Sequence, residues 1–345
     1  MNPPSRPGHR TRPAPSPPAR PPPDLRSSTA LVGVIGTGQC GSRPGGMTDS
    51  ATMSTPDRRY VITLGCPDRT GIVAAISGFL YRLGGSIVGA GYHTDPETNW
   101  FFTRQEVRAD SLDLDLEELR ARFAEVAAEL GDRTEWRVSD SGTRRRVVLL
   151  VSRAGHCLYD LLGRVASGEL DVDVRAVIGN HTDLAGITEA HGIPFHHVPF
   201  PASGREPERR AEAFARVAEI VDEHDPDAVV LARFMQILPT ELCQRWAGRV
   251  LNIHHSFLPS FIGARPYHQA HTRGVKLIGA TCHYVTADLD EGPIIEQDVI
   301  RVDHGDSVAD MVRKGRDIEK VVLARGLRWH LEDRVLTHGN RTVVF

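Results

Sequence analysis

The stretch that decides the fold is residues 147–166, VVLLVSRAGHCLYDLLGRVA. Its first five residues are continuously apolar, which is typical of a strand buried on both faces of a parallel sheet. Its last nine residues, 158–166, carry apolar side chains at helical spacing. A second continuously apolar run, AVVLA, occupies residues 228–232. Strands that alternate with helices predict a mostly parallel sheet with helices on both faces.

The same alternation continues as far as residue 253. The predicted strands are 147–151, 172–178, 194–198, 228–232 and 250–253, and the predicted helices are 158–166, 184–191, 207–224 and 239–247. In sheets of this kind ligands bind beyond the carboxyl ends of the strands, so the functional loops should follow those ends. We therefore predict a Rossmann-like α/β catalytic domain over residues 145–345.

A smaller unit is predicted over residues 58–140. Its order is βαββαβ, the order of a ferredoxin-like domain, with strands at 60–65, 86–93, 100–108 and 135–139 and helices at 71–83 and 116–130. Helical spacing of apolar residues supports the first helix, and acidic residues near its start support the second. The polar stretch SDSGTRRR, residues 139–146, is predicted to link the two units.

Residues 1–55 are dense in Pro, Arg, Gly and Ser. Such a segment cannot bury enough apolar area to offset its ordering entropy, so it is predicted to be disordered. A start site assigned too far upstream explains it equally well, with Met47 or Met53 as the true start.

The glycines of a GxGxxG pattern at Gly36, Gly38 and Gly41 precede SRPGGMTDS, which cannot form the helix that a dinucleotide site needs.

Composition excludes several classes of protein. A formal net charge of −3 gives no basic patch for nucleic acid. The five cysteines show no metal-ligand spacing, so neither a zinc site nor a disulfide frame is expected, and isolated thiols fit a reducing cytoplasm. No apolar run reaches the roughly 18 residues of a membrane span, and the first residues lack the apolar core of a signal peptide.

Two loops carry residues suited to acyl chemistry. Asn252 and His254 stand two apart at the end of a predicted strand, where they should face the same side. An amide can stabilise an oxyanion and an imidazole can move a proton. A second loop carries Asp288, Asp290 and Glu291, and a carboxylate can orient an imidazole or a water. From these residues alone, a structural histidine and an ordinary acidic turn explain the pattern better than catalysis does.

The motifs around these residues resemble the formyltransferase superfamily. That superfamily shares Asn-x-His, then Leu-Pro, then an Asp shortly before Gly-Pro. The matching positions here are Asn252, His254, Leu258-Pro259 and Asp290. Within it, HHSFLPSF, PYHQA, GVKLIGAT and LARFMQIL are similar to the formyltetrahydrofolate deformylases, whose arrangement of an ACT domain before this core also matches. The resemblance implies an enzyme that hydrolyses a linear amide, turning 10-formyltetrahydrofolate into formate and tetrahydrofolate, balancing the folate pool and supplying formate for purine biosynthesis.

Departures from the transferases favour hydrolysis. The loop at 152–157 contains one glycine, whereas a phosphate cradle needs several unhindered backbone amides. No basic extension for tRNA follows the core. Two rivals stay open: formyl transfer to an amine, and a folate or amino-acid sensor with an inert core.

The resemblance also implies roles for individual residues. Asn252 would polarise the formyl oxygen, His254 would shuttle a proton, and Asp290 would orient water, with Asp288 and Glu291 as lower-ranked rivals. No metal and no cofactor are expected. Folate itself is expected in a cleft after the strand that ends at residue 232; its lining residues would be Met235, Gln236, Ile237, Leu238 and Val285, beside Phe234. Core packing explains Met235 and Ile237 equally well, and Arg265 and His268 could touch substrate or solvent.

The smaller unit resembles an ACT domain, a family that often binds amino acids at its first loop. By that resemblance Asp68, Arg69 and Gly71 would line an effector site, while a helix cap or a purely dimerising role is the alternative. Because this domain type commonly pairs, a homo-oligomer is expected. The expected partners are thus a folate substrate, an amino-acid effector and further copies of the chain.

Overall fold

The computed structural model describes residues 58–202, 204–260 and 266–345. The predicted disordered tail and its GxGxxG pattern lie outside these residues. The first sheet has four antiparallel strands in the order β2-β3-β1-β4. Its elements are β1 (Arg59–Pro67), α1 (Ile72–Arg82), β2 (Ile87–Asp95), β3 (Trp100–Arg108), α2 (Leu116–Leu130) and β4 (Glu135–Asp140). This is the predicted βαββαβ order.

Both helices pack on one face of the small sheet. Ile62 and Leu64 of β1 lie in one core with Ile76 and Leu80 of α1 and Phe123 of α2. The alternation along β1 explains this arrangement, because every second side chain points to the same face. Helix α2 begins at a side-chain cap, where the carboxylate of its N-cap residue accepts the backbone N–H of residue 118.

The second sheet has seven strands in the order β11-β10-β9-β8-β5-β6-β7. The strands are β5 (Arg145–Val151), β6 (Val172–Gly179), β7 (Phe195–His197), β8 (Ala228–Ala232), β9 (Val250–His254), β10 (Leu277–Tyr284) and β11 (Ile294–Arg301). Strands β5 to β9 are mutually parallel, and β10 and β11 add an antiparallel edge. The mostly parallel sheet predicted from the alternation is confirmed.

Helices cover both faces of the large sheet. They are α3 (His156–Ala166), α4 (Ala185–Ala190), α5 (Pro207–His224), α6 (Thr240–Arg245), α7 (Pro266–Arg273) and α8 (Val308–Leu331). Alternate residues of β5 enter two cores: Leu149 packs in the core of α3 and α8, and Leu150 in the core of α5 and α6. No helix of the described ranges combines the length and apolarity that a bilayer span requires.

Helix α8 was not predicted from the sequence. Its start carries a capping box, in which Ser307 and Asp310 each bond the backbone N–H of the other. That pattern of a hydroxyl residue followed three positions later by a carboxylate is a readable start signal. A hairpin of β12 (Val335–His338) and β13 (Arg341–Val344) follows α8. It packs on the small sheet, where the His338 ring stacks on Trp100 at 4.4 Å between centroids.

The connection between the two sheets is shorter than the predicted linker. Ser139 and Asp140 belong to β4, and Arg145 and Arg146 belong to β5, so only residues 141–144 connect them. Polar composition suggested a longer linker, but the backbone of these residues pairs in both sheets. The boundaries 58–140 and 145–345 stay predictions about domains.

A buried carboxylate ties the two sheets together just after α8. Asp333 accepts hydrogen bonds from the Ser139 hydroxyl at 2.5 Å and from Arg145 at 2.7 Å, and it pairs with Arg137 at 3.2 Å. Its backbone is left-handed, with φ of 52°, and Arg104 donates to its carbonyl. This residue therefore joins β4, β5 and the end of α8.

Replacing Asp333 with Asn should destabilise the protein by about 2 kcal/mol, because the change removes the nearest anion of the buried Arg145 guanidinium, whose other carboxylate, Asp227, lies 3.8 Å away. Asn tolerates the left-handed backbone, so the loss reports charge and not strain. The measurement is the urea-unfolding midpoint. Asp225 offers a matched control: it is also left-handed, with φ of 38°, but its ion-paired side chain is 72% exposed. Asp225→Asn should cost less than about 1 kcal/mol, and equal losses would contradict this account.

Candidate functional site

Strand β9 ends at the site and presents two polar side chains on one face. Asn252 and His254 lie two residues apart, as the sequence predicted. The antiparallel register with β10 places His283 directly opposite Asn252 and Thr281 opposite His254. Directly opposed residues have Cβ atoms about 5 Å apart, so a third polar group enters the site from β10. His283 was missed in the sequence, because only the pairing of β9 with β10 brings it there.

His283 fixes the orientation of the Asn252 amide. The Nδ1–H of His283 donates to the carbonyl oxygen of Tyr284 at 2.9 Å. The lone pair at Nε2 of the same ring then accepts the Asn252 amide N–H at 3.1 Å. The second N–H of the same amide remains available for a ligand. The pair thus sets Asn252 as a hydrogen-bond donor.

Asp290 reaches the two imidazoles from the turn after β10. Its backbone is left-handed, with φ of 57°. One carboxylate oxygen lies 3.3 Å from Nδ1 of His254, and the other lies 3.7 Å from Nε2 of His283. Hydrogen bonding from His254 holds the pKa of Asp290 well below the usual carboxyl range. The site therefore carries a carboxylate that is ionised near neutral pH beside an imidazole.

His254 is buried and has one free nitrogen. Its Nδ1 faces Asp290, whereas its Nε2 is buried and has no hydrogen-bond partner among the described residues. A buried ring nitrogen without a partner is costly in an unliganded protein. The arrangement leaves Nε2 ready to exchange a proton or a hydrogen bond with a bound molecule.

These residues line a cavity of about 630 Å³. Its wall contains the three predicted catalytic residues together with all of the predicted folate-binding residues, which are Met235, Gln236, Ile237, Leu238 and Val285. Met235 and Ile237 are 62% and 61% exposed, so the alternative of ordinary core packing is wrong for both. The Gln236 side chain is held by a hydrogen bond from Arg210 at 2.8 Å. An apolar wall with a few convergent polar groups is typical of a small-molecule site.

The rival carboxylates lie less favourably. Asp288 and Glu291 are exposed, whereas Asp290 is half-buried, and neither rival pairs with an imidazole in the described residues. His268 is exposed on α7 and does not line the cavity. Arg265 lies outside the described residues. The geometry singles out Asp290 among the acidic residues of the turn.

A second polar cluster lies at the carboxyl ends of β5 and β8, and the sequence analysis missed it. The Glu319 carboxylate of α8 is bonded at 2.8 Å to His156 and accepts the Tyr267 hydroxyl at 2.6 Å. Arg233 of the cavity wall lies 3.5 Å from Glu319. Tyr267 fits because Gly315 leaves room one turn before Glu319, where any Cβ would overlap the hydroxyl.

Glu319, His156 and Cys157 also form the one group of metal-type donors in the described ranges, with ligand atoms within 4.8 Å of one another. The Arg233 guanidinium beside them opposes a cation electrostatically, and hydrogen bonds already occupy both oxygens of Glu319. Burial raises the pKa of the Cys157 thiol well above its usual range, which disfavours the thiolate that a metal needs. The donor set therefore fits a metal ion poorly.

The predicted effector residues lie elsewhere, at the start of α1. Gly71 takes the left-handed N-cap position with φ of 99°. Arg69 donates to the carbonyl of Glu129 at 2.7 Å, and the backbone N–H of Asp68 bonds the carbonyl of Asn99 at 2.8 Å. These contacts explain the loop as a helix start, and its role toward an effector stays a prediction.

Comparison with known proteins places this geometry in a family. The profile of the Formyl transferase family matches residues 145–327. A formyltetrahydrofolate deformylase of Synechocystis is 46% identical over 82% of this chain and 97% of its own, and one of Bacillus subtilis is 45% identical over 82% and 93%. The crystal structure of a formyltetrahydrofolate deformylase from Pseudomonas syringae superposes with a TM-score of 0.81 at 56% identity, covering 85% of this chain and 96% of that one. The chain belongs to the formyltetrahydrofolate deformylase family, whose catalytic half has the Formyl transferase fold.

Proposed function

We propose that this protein hydrolyses 10-formyltetrahydrofolate to formate and tetrahydrofolate. One observation carries the proposal. His254 faces the ionised Asp290 carboxylate at 3.3 Å, and both residues line the cavity together with the donor amide of Asn252. A donor for an oxyanion, a proton carrier and a fixed carboxylate are what hydrolysis of an amide needs.

Asn252 and the cavity wall would prepare the substrate. The flat folate would lie along the exposed apolar groups of Met235 and Ile237, and Val285 also lines this cavity. The free N–H of Asn252 would then bond the formyl oxygen. Negative charge grows on that oxygen as the carbon becomes tetrahedral, so the bond strengthens in the transition state.

Asp290 and His254 would handle water and protons. The carboxylate would orient a water toward the formyl carbon, and it fixes the orientation of the His254 ring from 3.3 Å. The water oxygen bonds to the carbon, the C–N10 bond breaks, and one proton is delivered to N10. The second proton of the water leaves when the formic acid ionises. The products are formate and tetrahydrofolate, and His254 regains its starting state.

Water is the acceptor that the neighbouring polar cluster favours. The loop after β5 leads into α3 at His156, where a transferase would bind the phosphate of its second substrate. Here the buried carboxylate of Glu319 already bonds His156. A phosphate at that position would face a fixed negative charge, which costs several kcal/mol in a buried setting. A phosphorylated amine is therefore a poor second substrate.

The remaining expectations form part of the same proposal. No cofactor and no metal are needed for the steps above. We propose a cytoplasmic homo-oligomer, an amino-acid effector at Asp68, Arg69 and Gly71, and a role in supplying formate for purine biosynthesis. Four free cysteines are buried in the described ranges, in line with a reducing compartment.

Incubation with 10-formyltetrahydrofolate and no amine should release formate and tetrahydrofolate in equal amounts, because water alone completes the reaction. Formate is measured by a coupled assay and tetrahydrofolate by its absorbance. Addition of an amine should leave the rate unchanged. Strict dependence on an amine would show transfer, and tight binding with no turnover would show an inert sensor.

Asp290→Asn should lower kcat by about 100-fold or more, because it removes the carboxylate that orients water and His254. Asn accepts the left-handed backbone of residue 290, so the turn should stay intact. Glu291→Gln makes the same chemical change at the next, exposed position and should keep normal turnover. Near-normal kcat in a folded Asp290→Asn protein would remove Asp290 from the mechanism.

Acid should reduce the contribution of Asp290 to the stability of the folded protein. The pKa of Asp290 is lowered in the folded protein, so its ion pairing stabilises the fold above the unfolded carboxyl value of about 4 and is lost as the pH falls below it. The stability difference between the unsubstituted protein and Asp290→Asn should shrink as the pH falls from about 4 to about 3. Urea midpoints at each pH measure it, and a difference that grows in acid would contradict the pairing.

A further inference from the structure

Arg233 occupies the point where the large sheet changes direction. Strands β6 and β7 follow β5 toward one edge of the sheet, and β8 then pairs with the other side of β5. Ligands bind in the crevice at such a switch point, beyond the carboxyl ends of the strands. Arg233 follows the last residue of β8 directly, with a left-handed φ of 65°. Its side chain lines the cavity that also contains Asn252, His254 and Asp290.

The guanidinium is buried but not hydrogen-bonded. Its Nε and Nη1 are buried and have no hydrogen-bond partner among the described residues, and its side chain is only 15% exposed. The nearest anion, Glu319, lies 3.5 Å from Nη1, beyond a good hydrogen bond. Both oxygens of Glu319 are already used by His156 and Tyr267. Glu319 therefore balances the charge of Arg233 without satisfying its N–H groups.

This combination is characteristic of a group held ready for a ligand. Leaving N–H groups of a charged side chain buried and unbonded is costly, and carboxylates are the preferred partners of a guanidinium. The neighbouring His255 adds no competing positive charge, because burial and then Arg233 lower its pKa to about 4.

We propose that Arg233 is a carboxylate subsite that receives formate as it leaves the tetrahedral centre. This inference rests on the proposed function. The formyl carbon must lie within reach of Asn252 and His254, and Arg233 lines the same cavity. The carboxylate that the reaction forms in this cavity is formate, so formate is the anion nearest the guanidinium. The buried Glu319 disfavours a doubly charged anion there, which leaves a small, singly charged carboxylate as the fitting ligand. The glutamate tail of folate has the same chemistry and is distinguished by experiment.

The test measures binding of sodium [13C]formate to the full chain by NMR line broadening, with and without tetrahydrofolate, alongside inhibition of turnover by formate. Arg233→Gln should weaken formate binding at least about tenfold, because charge-assisted hydrogen bonds are lost. Arg233→Lys keeps the charge but not the fork of N–H groups, and should weaken binding less. Arg153→Gln makes the same change at an exposed residue outside the cavity and should bind formate normally.

Unchanged formate binding in a folded Arg233→Gln protein would overturn the subsite. A loss of tetrahydrofolate binding with formate binding intact would assign Arg233 to the glutamate tail and also overturn it. If Arg233→Gln does not fold, Arg233→Lys is the deciding variant. Formate binding equal to that of the unsubstituted protein would then overturn the proposed role of the guanidinium. Formate binding that depends on Arg233 in a chain without turnover would keep the subsite and overturn the proposed function.

Discussion

The side-by-side pairing of β5 and β8 is the constraint on which the rest of the structure depends. The two strands are far apart in sequence, yet Val147 to Val151 pair in parallel with Ala228 to Ala232, and both strands are buried on both faces. Burial of both faces requires helices above and below the sheet. Polar loops are consequently excluded from the faces and collect at the carboxyl ends of the strands. The loops that carry His156 and Arg233 lie at that edge, whereas the turn that carries Asp290 follows β10, which runs antiparallel to β9.

Charge at this edge is distributed over two neighbouring clusters with different properties. In the first, the Asp290 carboxylate lies 3.3 Å from the His254 imidazole and 3.7 Å from the His283 imidazole, and all three residues line the cavity. In the second, Glu319 is fully enclosed and hydrogen-bonded on both oxygens. In the first cluster the buried Nε2 of His254 has no partner among the described residues, whereas the carboxylate of the second is closed off by His156 and Tyr267. Helix α8 carries Glu319 and also leads to Asp333, so the same helix connects the site with the small sheet.

Much of this architecture follows from local sequence patterns. The strands around Leu149 and Val230 were predicted because continuous apolar runs need burial on two faces, and helix α5 was predicted over its full length. The α8 helix was missed, although its capping box at Ser307 is a local signal. The linker was predicted too long because polarity alone does not reveal that Arg145 belongs to a strand.

The sequence by itself determined the fold class and the position of Asn252 and His254 two apart on one strand, and its motif predicted Asp290. Local spacing and motifs suffice for these features, because neighbours in the chain share a strand or a turn. Only the tertiary structure decided the rest. His283 lies opposite Asn252 through the register of β10, and Arg233, Glu319, His156 and Tyr267 meet although they are separated by tens of residues. Such contacts depend on which strands become neighbours, and strand order is set by burial of the whole sheet and not by any one segment.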